Sequence, residues 1–64
     1  MKKINITLGD GTFISAILVR EYKGSSLCFV EHNDKRLMVM IDDNNEEIAK
    51  QDITLPIVDG IASV

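Results

Sequence analysis

Apolar residues occur at alternate positions along much of the chain, in short segments separated by Gly, Asn, Asp and Ser. The segment Lys3–Leu8 alternates strictly, with Ile4, Ile6 and Leu8 at every second position. Successive side chains of a β-strand point to opposite faces, so this pattern is typical of a strand with one buried face. We therefore predict a first strand that packs on a core with one face and meets water with the other.

Two later segments are apolar on both faces. Phe13–Val19 and Leu37–Ile41 contain almost no polar interruption. A strand that meets water on one face would alternate apolar with polar residues. The second face must therefore be covered, either by the sheet curling on itself or by another subunit.

Turn residues divide the chain into five predicted strands. Gly9–Gly11, Lys23–Ser26 and Asn33–Lys35 are rich in the residues that favour tight turns. The pattern predicts strands over residues 3–8, 12–22, 27–32, 36–42 and 53–58, with a bulge at Ser15 or Ala16 in the second.

One short helical turn is predicted before the last strand. Asn44 or Asn45 can cap a turn over residues 46–51, which has acidic residues at its start. Pro56 has no N–H for a ladder, so the last strand is expected at an edge or a bulge.

The predicted fold is therefore an all-β, small, five-stranded and partly open barrel, in a single domain spanning residues 1–64. The segment Leu8-Gly9-Asp10-Gly11-Thr12-Phe13 joins two early strands through a glycine turn. In this it resembles the small-barrel architectures of the SH3, KOW, Tudor and Sm-like groups. The resemblance implies an architecture only, since such folds host unrelated functions.

The size of the chain makes its stability an issue. A domain of 64 residues buries about 60% of the surface that its unfolded chain exposes. Small domains usually add disulfides, a structural metal or oligomerisation. Cys28 and His32 are the only residues of their types, which excludes an internal disulfide and a Cys/His zinc site. Oligomerisation is the remaining means of stabilisation.

Charge and hydropathy limit the partners. The formal net charge is −3, with ten acidic against seven basic residues that are scattered along the chain. This balance argues against a nucleic acid or a membrane held by bulk electrostatics. There is no apolar stretch of about 20 residues and no signal peptide, so we expect a cytoplasmic protein. Its size is typical of the short accessory or regulatory genes of bacteria and phages.

The predicted interface centres on two methionines. Met38 and Met40 share one face of the fourth strand, and methionine adapts well to binding surfaces. Across a hairpin we expect them near Cys28 and Val30, with Ile57 and Val58 of the apolar tail serving the same interface. The function expected is a non-enzymatic binding or regulatory module that self-associates as a homo-oligomer and acts through protein–protein interaction.

Two alternatives stay open. Single-stranded RNA or DNA would bind if two hairpin tips converge and bring together the basic and aromatic residues Arg20, Tyr22, Lys23, Lys35 and Arg36. A small-molecule ligand would bind in clefts between subunits. Catalysis is not expected, because Cys28 and His32 on one strand would lie ~13 Å apart. We also expect no cofactor and no metal.

Overall fold

The computed structural model describes residues 1–54, which form one antiparallel sheet of five strands. The strands are β1 Lys2–Thr7, β2 Phe13–Tyr22, β3 Ser25–His32, β4 Lys35–Ile41 and β5 Glu47–Asp52. Each strand pairs with the next in sequence order. The all-β prediction is confirmed. The described residues contain no helix, so none there is long and apolar enough to cross a membrane.

The hairpin between β3 and β4 has a two-residue loop. Asn33 and Asp34 have φ angles of 53° and 63°, and His32 lies opposite Lys35. Positive φ at both central residues defines a type I′ turn, whose twist matches that of the flanking strands. Asn and Asp tolerate this region better than other non-glycine residues. The turn therefore sets the register of the whole β3–β4 pair.

One face of the sheet, here called the inner face, holds the hydrophobic core. Its central side chains are at most 2% exposed and come from β1, β2, β3 and β4. The buried set is Ile6, Leu8, Ala16, Cys28, Val30, Leu37, Val39 and Ile41, with Ile4, Ile14 and Leu18 packed around it. The described residues bury no polar side chain. The inner face is thus filled by this chain itself.

The two edges of the sheet, formed by β1 and β5, approach each other near Thr7. The backbone N–H of Thr7 donates to the carbonyl of Asn45 at 2.9 Å, and the Asn45 amide donates to the Asn5 carbonyl at 3.1 Å. The Gly9 N–H donates to the Glu47 carboxylate at 2.7 Å. Thr7 makes one isolated parallel bridge there, so the sheet curls but does not close into a barrel.

The predicted helical turn is wrong: residues 47–52 form β5. The Asp42 carboxylate accepts from the N–H groups of Asn44 and Glu46, at 2.8 and 3.1 Å, and this closes a hairpin loop. Asn45 completes the loop with a φ of 61°. The acidic residues thus make a turn, and pairing with β4 outweighs a weak helix propensity. Most of the predicted last strand, Ile53–Val58, lies outside the described residues.

The bulge in β2 also lies elsewhere than predicted. Ser15 and Ala16 pair regularly with β1, whereas the register against β3 shifts between Leu18 and Arg20. Val19 is the extra residue and is 52% exposed. A bulge strengthens the local twist, which helps the long second strand to serve both neighbours.

Candidate interaction surface

The second face of the sheet, here called the outer face, carries two rows of apolar side chains. In the first row, Ile17 pairs with Phe29, and Phe29 pairs with Met38. In the second row, Leu27 pairs with Met40. These five side chains are only partly buried by the described residues. Together they form a continuous apolar surface on the outer face.

The outer face contains two shallow hollows next to each other. The first, of about 220 Å³, lies over β4 and β5 and is lined by Leu27, Met38, Met40, Ala49, Lys50 and Gln51. The second, of about 210 Å³, lies over β2 and is lined by Lys3, Ser15, Ala16, Ile17, Phe29 and Glu31. Phe29 and Leu27 on β3 stand between them. Such paired depressions in an apolar sheet face are suited to receiving side chains of another molecule.

The structure separates the residues that the sequence assigned to one interface. Met38 and Met40 lie on the outer face, as described above. Cys28 and Val30 pair with Val39 and Leu37 and are buried in the core on the inner face. Their grouping with the methionines is therefore corrected. Ile57 and Val58 lie outside the described residues.

A one-residue change of register explains this difference. A three-residue connection over residues 33–35 would place Cys28 opposite Met40. The two-residue turn instead places Cys28 opposite Val39 and Phe29 opposite Met38. Because side chains alternate along a strand, a slip of one residue exchanges the two faces. The alternation of β3 thus placed Leu27 and Phe29 on one face of the strand. The length of the turn was needed to show that this is the face that carries Met38 and Met40.

The residues proposed for nucleic acid do not converge. Arg20, Tyr22 and Lys23 lie at the β2–β3 end of the sheet, whereas Lys35 and Arg36 follow the β3–β4 turn. In a meander, successive turns lie at opposite ends of the strand that joins them. The eight residues of β3 separate these two turns by roughly 23 Å. No common tip is formed, because the hairpins point in opposite directions.

A polar pocket of about 350 Å³ opens at one end of the inner face. It is lined by Leu8, Asp10, His32, Asn33, Lys35, Leu37, Lys50 and Asp52. Hydrogen bonds from Thr12 lower the pKa of Asp10. Hydrogen bonds from Thr54, and then the nearby lysines, lower the pKa of Asp52. Both carboxylates are held ionised by their own turns, so they are not poised for proton transfer near neutral pH.

The lone thiol is not placed for chemistry. Cys28 is fully buried, and this burial raises its pKa. A nucleophilic cysteine needs the opposite, a lowered pKa and access to substrate. Within residues 1–54 no three His, Cys, Asp or Glu side chains are close enough to hold a metal ion.

Comparison with protein-family models, with curated proteins and with solved structures gave no match to this chain. The fold and the placement of its side chains therefore carry the functional argument.

Proposed function

We propose that this protein is a non-enzymatic binding and regulatory module that acts through protein–protein contacts made by its outer face. The observation that carries this proposal is the division of apolar residues between two faces. The inner face is already a complete core, so Ile17, Phe29, Met38 and their neighbours are not needed to fill it. Exposed apolar surface surrounded by polar residues is the usual anatomy of an interaction site.

A second copy of the chain is one partner for this surface, and we propose that such self-association is weak. Two rows across three strands cover a few hundred Å², given ~4.8 Å between strands and ~3.3 Å per residue. A stable interface usually buries about 800 Å² on each partner. An assembly through this face alone would therefore form and dissociate readily. The buried thiol fits a reducing compartment, and we place the protein in the cytoplasm.

Sedimentation velocity across a wide concentration range tests the proposal. The unmodified chain should shift toward dimer as its concentration rises, and the double variant Met38→Lys with Met40→Lys should stay monomeric and folded. Lys35→Glu, which changes a charge outside the outer face, should associate like the unmodified chain. Equal association of all three proteins would show that the outer face is not the contact.

A further inference from the structure

The charges around the outer face are distributed very unevenly. The outer-face residues around its two hollows, together with their cross-strand partners, include three cations and one carboxylate. The cations are Lys3, Arg20 and Arg36, and the carboxylate is Glu31. The whole chain, by contrast, has a net charge of −3. The apolar surface therefore has a cationic rim on an otherwise acidic protein.

Two rim cations are fixed beside the apolar rows by the pairing of the strands. Lys3 lies opposite Ile17 at the β1 side, and Arg20 lies opposite Leu27. Both cations are exposed. Lys50, by contrast, lies opposite the buried Val39 and so belongs to the inner face. Lys3 and Arg20 therefore lie at two sides of the patch, within reach of a molecule seated on it.

Most of this positive charge is not neutralised within the described residues. In residues 1–54 the single ion pair joins Arg36 to Glu31, with 3.4 Å between Nε and Oε2. That pair accounts for the rim's one carboxylate. Lys3 and Arg20 have no carboxylate within ion-pair distance in this part of the chain. A partner that supplies acidic groups at those two positions would gain contacts that the protein does not make by itself.

The same rim disfavours a second copy. Two identical outer faces brought together place cations near cations, and like charges across an interface are costly. We propose that the preferred occupant of the outer face is an acidic amphipathic segment of another protein. Its apolar side chains enter the two hollows, and its carboxylates meet Lys3 and Arg20. This inference rests on the proposed function, and it names the partner's chemistry.

The hollows set the spacing of the partner's apolar residues. Their centres lie about two strands apart across the sheet and about two residues apart along the strands, a separation of roughly 12 Å. Positions seven or eight apart on an α-helix share a face and span about 11–12 Å. A helical segment with two such apolar residues, flanked by Asp or Glu, meets both requirements.

The test uses three designed helical peptides of about 16 residues. The first carries leucine along one face and glutamate beside it; the second replaces the glutamates with lysine, and the third replaces the leucines with serine. Binding is followed through the methionine methyl signals of the full chain by NMR. Met1 is fully exposed and serves as an internal control for Met38 and Met40.

We expect the acidic peptide to shift the Met38 and Met40 signals and to bind at least tenfold more tightly than the lysine peptide. The double variant Lys3→Glu with Arg20→Glu should reverse this preference, whereas Lys35→Glu with Lys23→Glu, matched in charge change, should keep it. Equal binding of both leucine peptides would overturn the acidic preference and leave the outer face as a contact site. No shift with any peptide, together with a monomeric chain at all concentrations, would overturn the proposed function itself. Tighter binding of a uridine oligonucleotide than of the acidic peptide, at the same methyl groups, would assign the rim to phosphates and refute the inference.

Discussion

Adjacent residues of β4 should respond in opposite ways to the same substitution. Val39 is fully buried and Met40, the next residue, lies on the outer face. Val39→Lys removes about 1.5–3 kcal/mol of burial and places an ammonium group in the core, which costs several kcal/mol more. A domain of this size has a net stability of only about 3–5 kcal/mol. Val39→Lys should therefore be unfolded.

Met40→Lys should cost about 1 kcal/mol or less, because the lysine stem can lie on the outer face with its charge in water. Far-ultraviolet circular dichroism during urea titration measures both variants, and Met40→Leu provides a control for side-chain shape. The reasoning is refuted if Met40→Lys unfolds the protein or if Val39→Lys keeps a cooperative transition near that of the unmodified chain. Either result would contradict the assignment of Val39 to the core and Met40 to the outer face.

Three further substitutions test the turns and the core. Asn45→Ala should lower the free energy of unfolding by about 2 kcal/mol, because it removes both a side-chain hydrogen bond to Asn5 and a residue that tolerates positive φ. Asn45→Gly should lower it by only about 1 kcal/mol in the same urea titration. Cys28→Ser should lower the free energy of unfolding by about 1–3 kcal/mol, because it buries an unpaired hydroxyl. The native thiol should react slowly with Ellman's reagent, because burial raises its pKa. Hydrogen bonds from Thr12 lower the pKa of Asp10 below its unfolded value of about 3.9. The ionised carboxylate therefore stabilises the fold above the unfolded pKa, and this stabilisation is lost as the pH falls through the folded pKa. Asp10→Asn should therefore flatten the acid limb of stability against pH, and an unchanged limb would contradict this assignment.

Hydrophobic alternation and turn chemistry were enough to predict most of the sheet. β1, β3 and β4 lie within a few residues of their predicted positions, because each is a short segment rich in apolar residues and Gly, Asn or Asp marks its ends. β5 could not be predicted in the same way. It is exposed along nearly its whole length, and its sequence Glu-Ile-Ala-Lys-Gln-Asp favours a helix locally. Hydrogen bonding to β4 decides its conformation, and that contact is not encoded within the segment.

The candidate site was only half predictable for a related reason. Met38 and Met40 stand out by residue type, but their neighbours depend on register. Register depends on whether the β3–β4 loop contains two residues or three. The two-residue turn that Asn33 and Asp34 allow brings Phe29 beside Met38.

The cationic rim shows why net charge alone misjudges a partner. Along the sequence Lys3, Arg20 and Arg36 are far apart and look like ordinary solubility charges. An antiparallel meander brings each strand back beside the previous one, and side chains of equal parity then share a face. Around the outer face these cations meet one carboxylate, that of Glu31. A chain with a net charge of −3 can therefore present a surface complementary to an acidic partner. Its association rate with that partner should fall as salt rises, which is opposite to the expected effect of salt on pairing between two copies.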